Sequence, residues 1–159
     1  MNINDEIFDE NRILVLGVGN YILNDEGVGV HAIEYMQDKQ LPDHVDLLDG
    51  GTGGFYLLSV VQKYKKLILI DATLDGKEVG TVSVLKPKFS NDFPKALTTH
   101  DIGLKDLLDT ANLLGIMADV HLITITVKNI SEVGMNLSPE VNNSLHKVYE
   151  TVLSVLNSK

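Results

Sequence analysis

Four acidic or imidazole side chains, Glu26, Asp49, Asp71 and His100, stand where a folded chain could use them. Glu26 ends the triplet Asn24-Asp25-Glu26, just after a glycine-punctuated turn. Asp71 follows the apolar run at residues 67–70, and Asp49 follows a less apolar stretch at 45–48. His100 lies in Thr98-Thr99-His100-Asp101, among residue types that cap helices. Two carboxylates and one imidazole nitrogen, with coordination positions left open, suit a divalent transition metal. The same groups could instead act as general acid and base. Both chemistries stay open at the level of residue types.

Other chemistries are excluded. The chain has no cysteine, so it contains no disulfide, thiol nucleophile or cysteine-ligated metal. Neither a G-x-S-x-G elbow nor an H-E-x-x-H helix occurs. The remaining histidines look structural: His31 falls within a predicted helix, His44 and His121 lead strands, and His146 lies off the apolar stripe of the last helix. A net charge of −9 disfavours nucleic acid and anionic lipid as partners. No apolar run reaches the roughly 18 residues of a membrane span. Residues 1–10 are acidic and unlike a signal peptide, which predicts a short flexible lead-in, a cytoplasmic location and a single domain over 11–159.

The elements that must position these residues alternate in type. Residues 13–16 (Ile-Leu-Val-Leu) read as a strand buried on both faces. Gly17 and Gly19 are expected to turn the backbone sharply after it. Val28, Ala32, Ile33 and Met36 recur at helical spacing, which predicts a helix from Asp25 to Lys39, stopped before Pro42. Asn24 or Asp25 would cap it, and Asp25 and Glu26 would favour its positive end. This beginning only partly matches the G-x-G-x-x-G dinucleotide turn, because Ile22 stands where the third glycine belongs. The acidic pair would also repel a pyrophosphate.

A second strand over 45–48 leads into the glycine-rich loop 49–54, then a short helix carrying Phe55, Leu58 and Val61. Residues 66–72 form the most apolar strand, expected at the centre of the sheet and ending at Asp71. Residues 80–85 alternate in polarity after an Asp75-Gly76 turn, as an antiparallel edge strand would. A polar loop over 87–99 delivers His100 to a helix with Leu104, Leu107, Leu108 and Ala111 on one face. The fifth strand spans 121–127. Ser138-Pro139 opens a final helix with serine as cap and a stripe of Val141, Leu145, Val148, Tyr149, Val152 and Leu156. Together these give an α/β three-layer sandwich: a mostly parallel, twisted sheet of about five strands with helices on both faces. Glu26, Asp49, Asp71 and His100 then fall at loops or element ends on one side of it, where exposure is expected.

Four segments in this order carry a resemblance: 17–29 (Gly-Val-Gly-Asn-Tyr-Ile-Leu-Asn-Asp-Glu-Gly-Val-Gly), 49–52 (Asp-Gly-Gly-Thr), 69–72 (Leu-Ile-Asp-Ala) and 100–104 (His-Asp-Ile-Gly-Leu). The chain resembles the maturation endopeptidases of nickel–iron hydrogenases, which remove a C-terminal extension from the hydrogenase large-subunit precursor. The resemblance implies that Glu26, Asp71 and His100 bind metal and that Asp49, Gly50, Gly51 and Thr52 belong to the substrate site. It implies that the nickel is supplied by the precursor, with no organic cofactor, and it names no separate catalytic residue. A non-catalytic chaperone binding nickel and precursor, and a nucleotide-binding α/β module, are the alternatives.

Overall fold

The computed structural model describes residues 11–53, 57–87, 109, 113 and 119–158. The lead-in 1–10, residues 54–56, most of the loop before His100, His100 itself and, apart from residue 109, the helix expected over 104–111 lie outside the described residues.

Among those residues the sheet has five strands in the order β2-β1-β3-β5-β4, where β1 is Ile13–Val18, β2 Val45–Gly51, β3 Lys66–Thr73, β4 Val82–Leu85 and β5 Asp119–Thr126. The pairs β1–β2, β1–β3 and β3–β5 are parallel and β4–β5 is antiparallel. The apolar run of β3 places it in the middle, and the alternating β4 closes one edge, as their patterns predict. Three helices are described: α1 (Val28–Gln37), α2 (Leu58–Val61) and α3 (Pro139–Asn157).

Side-chain alternation along the strands builds two cores. Ile13 and Val15 of β1, Ile68 and Ile70 of β3, and Ile123 and Ile125 of β5 pack under α1 and α3. Leu14, Leu16, Leu67, Leu69 and Leu122 point the other way, towards Leu57 and Val61 beside and within α2. Period 2 in the strands and period 3.6 in α1 and α3 thus meet on one face, with α2 on the other.

Three expectations need correction. The helix after β1 does not begin at Asp25. A 3₁₀ turn spans Asn24–Gly27 and α1 follows from Val28, with no side-chain cap on either. Asn24 sits at φ +45°, a left-handed conformation that asparagine tolerates, so it cannot begin a regular helix. Gly17 and Gly19 also differ in purpose. Gly19, at φ +140°, supplies the turn, but Gly17 is an ordinary strand residue of β1. A Cβ on Gly17 would lie 2.1 Å from the Gly29 carbonyl oxygen, and one on Gly29 would lie 2.3 Å from that of Val18 and 2.4 Å from that of Ile70. The close helix–strand approach assigned to a third glycine is therefore made by the pair Gly17 and Gly29. Finally, β2 runs on through Asp49 to Gly51, with a register slip that pairs Gly17 with Asp49 and Val18 with Gly51 and leaves Gly50 as the extra residue.

Candidate active site

The strand order fixes where a crevice opens. From β1 the chain goes to β2 on one side, and β3 then pairs on the other, so the switch point lies at the carboxyl ends of β1 and β3. The turn after β1 carries Glu26. Pairing of β1 with β3 ends at Gly17–Ile70, and Asp71 is the first residue of β3 beyond it. The 3₁₀ turn packs against β3. Glu26 and Asp71 therefore come from segments that meet at the switch point, although 45 positions separate them in the chain.

Their environment is not the exposed one expected of element ends. Both residues have 0% exposure. One carboxylate oxygen of Glu26 accepts a hydrogen bond from the Asn20 N–H, and Asp71 Oδ1 accepts from the Ala72 N–H at 2.8 Å. Backbone donors thus orient each carboxylate. Burying such groups is costly without hydrogen bonds or a cation, and a helix needs neither carboxylate buried to gain from its dipole.

The glycine-rich segment borders the same turn. Gly51 O accepts from the Gly19 N–H at 2.9 Å, which ties it to the turn after β1. Asp49 is exposed, and its Oδ1 accepts from the Gly51 N–H at 2.9 Å. Gly50 is buried, Gly51 half-buried and Thr52 exposed. Asp49 and Thr52 are thus presented to solvent on a segment tied to the turn that leads to Glu26. His100, the third expected metal donor, lies outside the described residues. Among the described residues no three histidine, aspartate or glutamate side chains form a metal cage by themselves.

Sequence reasoning missed several supporting groups. Asp25 does not serve its own helix: its carboxylate accepts from Ser138 N at 2.7 Å and from Ser138 Oγ at 2.8 Å. Ser138 holds the N-cap position of α3 before Pro139, as expected, but its hydroxyl goes to Asp25 and makes no capping bond. This clasp pins the Glu26 turn to the start of α3. A polar row continues from Asp71: Thr73 on β3 and Thr124 and Thr126 on β5 are all buried on the same face of paired strands. The signal was available as polar residues two apart in otherwise apolar runs. His31 stacks on Tyr21 with ring centroids 4.6 Å apart. Burial holds its imidazole below the ordinary range, against the opposing pull of Glu34 and Asp25.

A mostly parallel α/β sheet with a buried acidic pair at its switch point defines a binding or catalytic domain of the doubly wound kind. The family model described as hydrogenase maturation protease matches residues 30–155. The hydrogenase expression/formation protein HupD of Rhizobium leguminosarum bv. viciae is 36% identical over 153 residues, covering 92% of this chain and 75% of the relative. The hydrogenase 2 maturation protease of Escherichia coli K12 is 34% identical over 148 residues, covering 91% and 90%. Among solved structures, the hydrogenase maturating endopeptidase HybD from E. coli superposes with a TM-score of 0.83 at 34% identity, over 91% of each chain. The chain belongs to the hydrogenase maturation protease family.

Proposed function

We propose that this protein is an endopeptidase that removes the C-terminal extension of a nickel–iron hydrogenase large-subunit precursor after nickel has been inserted. The observation that carries the reading is the pair of fully buried, backbone-oriented carboxylates, Glu26 and Asp71, at the switch point of a family member. Nickel enters as part of the substrate. Glu26, Asp71 and His100 add oxygen and nitrogen ligands to it, and Asp49 to Thr52 hold the peptide beside it. A set of two carboxylates and one imidazole is too hard to strip nickel from a thiolate centre, but it can add ligands to one.

The chain's own contribution is placement. The Asn20 and Ala72 N–H groups hold Glu26 and Asp71 in fixed orientations. The Gly19–Gly51 hydrogen bond holds the glycine-rich segment against the same turn. Orientation of this kind can lower a barrier by several kcal/mol, up to roughly 7–11. A nucleotide-binding role is disfavoured by the same residues, since an acidic side chain occupies the turn where a phosphate would sit.

Matched nickel-free and nickel-loaded precursors, mixed with the purified protein, test the proposal by release of the C-terminal peptide. Cleavage of the loaded form alone is expected. Equal cleavage of both forms would overturn metal sensing, and binding without any cleavage would make the protein a chaperone.

A further inference from the structure

Three of the large apolar side chains that the described residues expose stand together beside the Glu26 turn: Ile22 at 54%, Val133 at 81% and Met135 at 60%. They are far apart in the chain, but backbone pairing joins their segments. Leu23 and Gly134 form a parallel bridge, Gly134 N–H donates to Ile22 O at 2.8 Å, and Asn24 N–H donates to Gly134 O at 2.8 Å. In that register Ile22 lies beside Val133 and Asn24 beside Met135. Ile22 and Val133 are exposed, whereas Leu23 is partly buried.

The pairing is held firmly. The Asn24 side-chain oxygen accepts from Asn136 N–H at 3.3 Å, and Ser138 is clasped by Asp25. The contact is close: a Cβ at 134 would lie 2.2 Å from Asn24 Oδ1, so the Asn24 side chain would have to shift to admit one. An apolar cluster on so tightly tied a pair of loops is ordered before any partner arrives, which lowers the entropic cost of binding. Singly scattered surface apolar residues are ordinary, whereas a contiguous group marks a contact surface.

The two segments that carry the cluster hold acidic charge, and the exposed Lys128 stands just before the second. Residues 19–37 and 129–140 contain no lysine or arginine, and Glu34, Glu132 and Glu140 are exposed along them. The cluster is also continuous with the candidate active site, because Ile22 and Glu26 belong to the same turn. We infer that Ile22, Val133 and Met135 form the docking surface for an apolar segment of the precursor flanked by basic residues, next to its cleavage site. This rests on the proposed peptidase function and names the part of that substrate that is recognised.

The test is steady-state cleavage of nickel-loaded precursor by the wild type, by the triple variant Ile22→Ser/Val133→Ser/Met135→Ser, and by Glu132→Lys. Val84→Ser, which removes an apolar side chain 45% exposed on the edge strand β4, is the control. The triple variant is expected to raise KM at least tenfold with its melting temperature held. Glu132→Lys is expected to raise KM severalfold at low salt, with the difference shrinking as salt screens it. The control should match the wild type. An unchanged KM in the triple variant would overturn the docking surface while wild-type cleavage leaves the peptidase reading standing; absence of wild-type cleavage would strike that reading instead. Concentration-dependent dimers in sedimentation, abolished by the triple substitution, would assign the surface to self-association and overturn the inference.

Discussion

At the scale of single residues, the site depends on carboxylates that the fold buries and the backbone orients. Glu26→Gln and Asp71→Asn each keep an oxygen able to accept the same backbone N–H, from Asn20 and Ala72 respectively. Both variants should therefore remain folded yet lose the negative charge that a metal ligand needs. Precursor cleavage is expected to fall at least 100-fold in each, with melting curves close to wild type. Glu26→Ala, by contrast, removes the acceptor and should destabilise the protein by about 1–3 kcal/mol. Wild-type cleavage by either amide variant would remove that residue from the proposed set of nickel ligands. Asp25, next in the chain to Glu26, takes a different part: its bonds to Ser138 make it a fastening between the turn and α3.

At the scale of elements, α1 meets the sheet at a close approach of backbone to backbone. The Gly17–Gly29 approach leaves no room for a methyl group, and the three atoms nearest a Cβ at position 29 belong to backbone, which cannot swing aside. Gly29→Ala should therefore push α1 away from β1 and β3 and cost about 3 kcal/mol or more, as overpacking against a rigid neighbour does. Denaturant unfolding measures this directly. Because the Glu26 turn is the leader of α1, cleavage should fall along with stability. A Gly29→Ala protein as stable as wild type would mean that the junction yields more readily than its geometry indicates.

At the scale of the whole molecule, charge and burial together set the dependence of stability on pH. Burial holds His31 and His121 below the ordinary imidazole value of 6.5, more strongly than the carboxylates near them raise it. The unfolded chain then takes up these protons first as pH falls, so their contribution is complete above pH 6.5 and declines below it. Asp46 works in a lower window. Its hydrogen bond from Arg12 outweighs burial and keeps the carboxyl below its ordinary 3.8, so its contribution persists until the medium is more acidic than that. The melting temperature should be level near neutrality, decline from about pH 6.5, and decline again in strong acid. His121→Gln should flatten the first decline and leave the second; an unaltered profile would show that His121 titrates alike in both states.

Much of this architecture was legible in the chain itself. Apolar runs with β-branched residues mark buried parallel strands, the polar–apolar alternation of β4 marks an edge, and the stripe from Val141 to Leu156 marks α3, because burial in these geometries demands those periods. Asp49 and Asp71 could be chosen because carboxylates that follow strand-like segments tend to fall near strand ends, and Glu26 because it follows the glycine turn after β1. Tertiary structure alone decided that Glu26 and Asp71 are buried, that Gly29 and not a third glycine in the turn makes the close packing, and that the side chains of Asp25 and Ser138 bond to each other and make no capping bond to their own helices. These are contacts between segments distant in sequence, as the 113 positions between Asp25 and Ser138 illustrate. Local pattern carries the period of an element, but which side chain occupies the space above a strand end is settled by what packs there from elsewhere in the chain.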